Sequence, residues 1–259
     1  MNLLLLTLDA PLMSFGASII DAQGIIQPWP AASMLVGLLA NALGWERREY
    51  QKHRDLQRRL RYAVRQDRAP RPLMDYQTVD LGQPHLLASE VGWTTWGRVE
   101  ARGGAGATNT GTHIRYRDFH ADAVYTVALT LTPELEVPTL HTLAEALKKP
   151  ARPLFIGRKP CTPAAPLLRR EGGQDLYEAD SPFDALTRLP PARRVGAPTP
   201  EAGKQVLAWL DHEPQGRPSR WIPTTDQRDW HNQVFGGQRL IYETTLTLPA
   251  GGAAEGSHP

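Results

Sequence analysis

"MNLLLLTLDAPLMSFG" (Met1 to Gly16) runs through a block of leucines and then breaks at once into Pro-Leu-Met-Ser-Phe-Gly. Asn2 to Leu8 is short and continuously apolar, which predicts a strand buried on both faces of a sheet. Pro11 removes a backbone donor and Gly16 permits unusual dihedrals, so the chain can turn tightly off the strand end. Met13 and Phe15 then either sit at the sheet edge, where a base can stack on them, or tuck into a small satellite core. A stacked base is worth about 1–3 kcal/mol.

Working outward, Ala10 to Pro30 reads as a loop, and Ser33 can cap a helix that buries Leu35, Leu38, Leu39, Ala42 and Leu43 before Gly44 stops it. Glu46 to Leu60 is densely charged and reads as a short loop and an exposed second helix. "LRYAVRQDR" (Leu60 to Arg68) alternates like a half-exposed strand. "DYQTV" (Asp75 to Val79) leads into Leu81 to Thr112, Gly-rich and without periodicity. The chain returns through "HIRYRDFHADAVYTVALTLT", where Ala123 to Leu131 is strand-like. This out-and-back pattern predicts a protruding hairpin. Thr139 to Lys148 is an amphipathic helix turning Leu140, Leu143, Ala144 and Leu147 inward. Pro163 to Pro200 is Pro-rich, with strands expected at Val206 to Leu210, Arg220 to Ile222 and Leu240 to Leu248.

That order predicts an α+β, ferredoxin-like (RNA-recognition-motif-like) domain over 1–160, with a β-hairpin thumb at about 81–112. Its helices would lie on one face of an antiparallel sheet and leave the other face free. A smaller β-rich C-terminal portion follows over 161–248, and a disordered tail over 249–259.

Composition is that of a soluble globular chain: 259 residues, 41% hydrophobic and 22% charged, with a net charge of +2. The basic side is almost all arginine, whose planar fork fits phosphate and stacks on bases, although a GC-rich genome also enriches arginine. Cys161 is the only cysteine, so neither a disulfide framework nor a thiolate metal site is available. No stretch approaches the roughly 20 apolar residues of a membrane span. Asp9 interrupts the N-terminal run, which lacks the basic start of a secretory signal. A cytoplasmic protein without membrane contact is expected.

Two further stretches combine charge with stacking surface. In "FIGRKP" (Phe155 to Pro160), Gly157 lets the main chain approach a phosphate, and Arg158 and Lys159 add charge. It lacks the Lys-Ser/Thr pair of a nucleotide loop, so a sugar-phosphate backbone or an ordinary basic turn are its two readings. In "RYRDFH" (Arg115 to His120), arginines interleave with Tyr116 and Phe119, a pattern suited to single-stranded nucleic acid. Phe119 can equally anchor the hairpin. Arg47 to Arg71 reads most simply as a solvated helix face. No metal-ligand spacing and no nucleophile elbow occur, and no cofactor is implied. His53 with Tyr50, His113 with Arg115 and His120 with Arg117 are the pairs that chemistry alone allows for metal-free RNA cleavage.

"APLMSFG", "P-x-x-S-x-x-x-G-L-L-x-x-x-L-G" (Pro30 to Gly44), "DYQTV", "RDFHADAVYTVAL" (Arg117 to Leu129) and "PLFIGRKPC" (Pro153 to Cys161), in this order, resemble the Cas-five (RAMP superfamily) subunits, CasD type, of the type I-E CRISPR complex Cascade. The likeness covers most of Asn2 to Pro166 and is faint beyond, near "RDWHNQVFGG". It implies a non-catalytic subunit that grips the 5′ handle of the CRISPR RNA. Such a subunit caps the backbone filament of CasC, helps seat the large subunit CasA, and meets target DNA in the assembled complex. Carried over by motif, the RNA-binding residues would be Met13, Ser14, Phe15, Gly16, Ser33, Tyr76, Gln77, Thr78, Arg115, Tyr116, Arg117, Gly157, Arg158 and Lys159. Trp93, Trp96 and Arg98 would belong to the thumb. Ala32 stands where these proteins often carry a basic residue, so a phosphate there would rest on helix N-terminal amides. The alternatives are a metal-independent, RNA-processing endoribonuclease of the type I-C kind and a protein-binding scaffold without RNA contact.

Overall fold

A computed structural model describes residues 1–17, 22–80, 91–93, 99–101, 112–194, 196–198 and 200–249. The N-terminal half contains β1 (Asn2–Asp9), β2 (Leu12–Met13), β3 (Gln23–Gly24), α1 (Ala32–Ala42), α2 (Tyr50–Arg59), β4 (Leu60–Arg68) and β5 (Arg71–Asp80). β6 (Val91–Trp93), β7 (Val99–Ala101), β8 (Thr112–Ala121), β9 (Val124–Leu131) and α3 (Leu140–Lys148) follow. Beyond these lie β10 (Leu168–Arg169), β11 (Leu176–Glu178), α4 (Pro182–Arg188), β12 (Gln205–Leu210), β13 (Arg220–Thr224), β14 (Arg228–Asp229), β15 (Val234–Phe235) and β16 (Arg239–Thr247).

The main sheet is eight-stranded, ordered β10–β1–β9–β4–β12–β16–β13, with β11 also paired to β1. The pairings along it are antiparallel. β1 is buried on both faces, as its leucines predict. Leu4, Leu6 and Leu8 join the core with α1, α2 and α3, while Leu3 and Leu5 face the opposite way. α3 begins at Thr139, whose side chain accepts from the Thr142 amide, and buries the four residues expected of it. Gly44, at φ 75°, ends the α1 segment as expected. The strands foreseen in the C-terminal portion form, and they continue this same sheet: Ala208 to Leu210 pair with Ala63 to Arg65 of β4.

Two expectations need correction. First, the far face of the sheet is not free. α4, which the Pro-rich composition concealed, covers it with a second core of Leu3, Leu5, Ala63, Ala128, Ala208, Leu210 and Leu246. Second, β4 is not half-exposed, because Arg65 is fully buried. Its guanidinium pairs with Asp67 at 2.5 Å and donates to the carbonyls of Leu186, Leu189 (2.7 Å) and Pro190 (3.0 Å) at the end of α4. The buried charge is tolerated because each of its three nitrogens finds a partner and Asp67 balances it.

β5 and β8 form a long antiparallel ribbon in register from Arg71↔Ala121 to Asp80↔Thr112. It continues the β4–β9 pair, which ends at Arg68↔Val124, away from the main sheet. β2 and β3 pair with β8 alongside it. Of the predicted thumb, 81–90, 94–98 and 102–111 lie outside the described residues, Trp96 and Arg98 among them. Trp93 falls in β6, which pairs with β7. The expected tail lies outside beyond Pro249. No helix among the described residues is long and apolar enough to cross a membrane.

Candidate nucleic-acid interface

The segments Met13 to Gly16 and Phe155 to Lys159 pack back to back. The Ser14 amide donates to Ile156 O at 3.2 Å. Gly157 lies directly against this contact at φ 94°, and a Cβ there would stand 1.8 Å from Ser14 O. A glycine is therefore required by chain packing, whatever ligand it also serves. Stacking on Met13 and Phe15 is overturned. Both side chains are fully buried, and the Phe15 ring sits 5.0 Å from Tyr125 and 5.4 Å from His120. The hydrophobic drive to bury two large side chains turned them inward rather than to the sheet edge.

Arg158 reaches inward as well. Its Nη1 donates to Asp118 O (2.9 Å) and its Nη2 to Gly24 O (2.8 Å), with the guanidinium carbon 5.0 Å from the Phe119 ring centre. Gly24 leaves room for this cation and for Arg117: a Cβ on it would stand 2.7 Å from Arg158 Nη2 and 2.9 Å from Arg117 Nη1. Burial, and next the Arg117 charge, push the Arg158 guanidinium below its ordinary value. Lys159 is exposed beside it. Phe119 is buried and anchors the ribbon, the structural half of the "RYRDFH" reading.

On the ribbon, Tyr76 and Tyr116 are directly opposed, their rings 5.4 Å apart, and Tyr76 is 53% exposed. Gln77 faces Arg115 across the strands, and Asp75 faces Arg117, on the other side of the ribbon. Gln77, Thr78 and Arg115 are exposed. This ribbon, rather than the "APLMSFG" loop, presents aromatic rings to solvent.

A cavity of about 550 Å³ gathers several distant segments. Ser14 and Gly16, Ser33, and Gly157 with Arg158 line it, so five of the expected residues meet in one place. The expected phosphate seat on helix amides does not survive. Ser33 is not the cap: Ala31 holds the N-cap position without a side-chain bond. Asp226 instead accepts the Ala32 amide on Oδ2 (3.1 Å) and the Ser33 amide on its carbonyl oxygen (3.1 Å). A buried carboxylate already occupies the positive end of α1, paired with Arg239 at 2.6 Å.

The opposite wall was missed by sequence reasoning. It comes from the hairpin of β14 and β15, with Arg228, Trp230, Gln233 and Phe235, and from Trp45, Arg47 and His53. Gln57 holds the hairpin, accepting the Arg228 amide (3.0 Å) and Trp230 Nε1 (3.1 Å) on Oε1 while donating Nε2 to Arg228 O (3.1 Å). The Arg228 guanidinium lies 5.6 Å from the Trp230 ring and 5.9 Å from Phe235. Burial and then the Arg47 cation push it below its ordinary value. The mixture of Arg, Trp and Phe around "RDWHNQVFGG" was the available signal. Among the described residues no carboxylate lines the cavity, and Arg47, Arg158, Lys159 and Arg228 make no ion pair.

The histidine pairs are differently employed. His53 is buried between Trp230 (4.8 Å) and Trp45 (5.6 Å), with Nδ1 3.0 Å from Glu49 O, while the Tyr50 ring meets His231 instead. His120 places Nε2 3.0 Å from Gln27 O, and burial pushes its imidazole down. The side chain of His113 lies outside the described ones. No three His, Cys, Asp or Glu side chains converge as metal ligands among the described residues.

Residues 3–240 match the family described as CRISPR-associated protein (Cas_Cas5). Over 188 residues the chain is 28% identical to the CRISPR system Cascade subunit CasD of Escherichia coli (strain K12), covering 73% of this chain and 77% of that one. A chain of a solved CRISPR RNA-guided surveillance complex superposes with a TM-score of 0.61 at 24% identity, covering 95% of this chain and 90% of the other. A second structure, of a Cas protein, superposes with a TM-score of 0.59 at 28% identity, covering 96% and 98%.

Proposed function

We propose that this chain, which belongs to the CRISPR-associated Cas_Cas5 family, binds CRISPR RNA as a subunit of a type I-E-like Cascade. It grips the 5′ handle without cutting it and caps the CasC filament, beside CasA and the target DNA. The observation that carries this reading is the cavity, without a carboxylate among the described residues, that Arg47, Arg158 and Arg228 line together with Trp45, Trp230 and Phe235. Unpaired cations beside aromatic faces suit a single strand, whose phosphates need neutralising and whose bases need surfaces. The ferredoxin-like description is supported by the strand order β10/β11–β1–β9–β4, fourth–first–third–second around α1 and α3. With α4 over the far face, the RNA is held by loops at the rim and by the ribbon, not by the open sheet of an RNA-recognition motif.

The grip works by distribution. Arg47 supplies charge in the cavity wall, Lys159 stands exposed beside Arg158, and Tyr76 and Tyr116 offer rings on the ribbon. The test is the salt dependence of binding to a fluorescent single-stranded RNA carrying the handle. Replacing the exposed Arg47 and Lys159 by Gln flattens the log–log slope by about 0.7 for each phosphate that is no longer neutralised. An unchanged slope in the double variant overturns the interface. Handle RNA cut in EDTA to leave a 2′,3′-cyclic phosphate would instead establish the endoribonuclease reading.

A further inference from the structure

We infer that the cavity between α1 and the β14–β15 hairpin takes one unpaired base of the bound RNA, turned out of its strand, with the adjoining phosphate on Arg47 and Arg228. This rests on the RNA-binding reading above and narrows it to a nucleobase pocket.

Two buried polar atoms point to a missing ligand. Ser14 Oγ lines the cavity, its residue only 1% exposed, with no hydrogen-bond partner among the described residues. Arg228 Nε is likewise buried and without a partner among the described residues. Native proteins leave few such atoms unsatisfied, and those that remain call for an explanation. Backbone contacts alone would not require a hydroxyl so deep. A base edge brings the donors and acceptors that a hydroxyl can meet. Asn41 adds an acceptor in the same wall: its Nδ2 donates to Pro153 O at 2.8 Å, leaving Oδ1.

The shape agrees. Gly37 is the one glycine of α1, and it faces the cavity. A Cβ there would stand at an ordinary 3.8 Å from Trp230 Cη2, so packing does not demand a glycine. The helix forgoes intrinsic propensity at that position, and what it gains is open space beside an indole. A volume of about 550 Å³ lies within the range of small-molecule pockets and exceeds what an alkyl side chain fills. Phe235, 39% exposed, supplies a face for stacking, and Trp230, buried against His53, turns its Cη2 edge to the cavity, with Arg228 over both rings.

The experiment uses the full chain and a series of handle RNAs, each lacking one base but keeping every phosphate. One position is expected to lose about tenfold in affinity, the scale of a stacked base. Gly37→Leu fills the pocket without backbone strain: affinity for intact RNA falls about tenfold, sensitivity to that abasic position disappears, and the salt slope stays as in the wild type. Ser14→Ala removes a hydroxyl without a partner among the described residues, so the fold is kept while preference among the four bases at that position is lost. RNA bound tightly with no base-sensitive position, or with Gly37→Leu indistinguishable from wild type, overturns the pocket and leaves the RNA interface standing. Failure of the wild-type chain to bind any handle RNA overturns both.

Discussion

Gly157, Arg158 and Lys159 are consecutive yet face three different demands. Gly157 combines a φ of 94° with a virtual Cβ only 1.8 Å from a backbone oxygen. Gly157→Ala therefore adds the cost of the left-handed region, about 1–2 kcal/mol, to the displacement of the Ser14 loop. Urea unfolding should show a loss of at least about 2 kcal/mol. Arg158→Ala frees two main-chain carbonyls and uncovers Phe119, for an expected loss of about 2–4 kcal/mol. Lys159→Ala, at an exposed side chain without such bonds, should stay within about 0.5 kcal/mol while still weakening RNA binding. Equal destabilisation by all three would contradict this division. From sequence the stretch read either as a cradle for a sugar-phosphate backbone or as an ordinary basic turn around a glycine. That Arg158 directs its donors to Gly24 and Asp118 was not legible, because those partners lie 134 and 40 positions away.

The β14–β15 hairpin is too short to be stable alone, and its place depends on what it docks against. Gln57 on α2 makes three hydrogen bonds to it, and the indole of Trp230 leans on His53. Gln57→Ala should release the hairpin locally. Amide exchange over Arg228 to Phe235 is expected to accelerate about a hundredfold with the rest of the sheet protected, and handle affinity should fall with it. Unchanged exchange would mean the hairpin is held by other contacts. Helix α1 shows the opposite case. Its span, buried face and stop at Gly44 were readable from local sequence, but its cap was not, because Asp226 arrives from the far end of the chain.

One sheet joins the first strand to the last, and β4 is paired on one edge by β9 and on the other by β12. Trp209 of β12, 1% exposed, sits in the same core as Leu4 and Val127. The C-terminal strands are therefore expected to unfold with the N-terminal ones. Tryptophan fluorescence and far-ultraviolet circular dichroism should report one coincident urea transition, and a chain ending at 160 should show no cooperative unfolding. Two separated transitions would make the C-terminal portion an independent unit. By itself the amino-acid sequence determined the main strands, the helices α1, α2 and α3, and the motifs that resemble the Cas-five subunits, because period, glycine punctuation and apolar runs are local properties. Only the tertiary structure decided that Met13 and Phe15 turn inward, that α4 closes the sheet's open face, and that the cavity's second wall comes from Arg228 to Phe235. Which side of a loop faces core or solvent depends on neighbours supplied by residues more than a hundred positions away, and no local pattern encodes them.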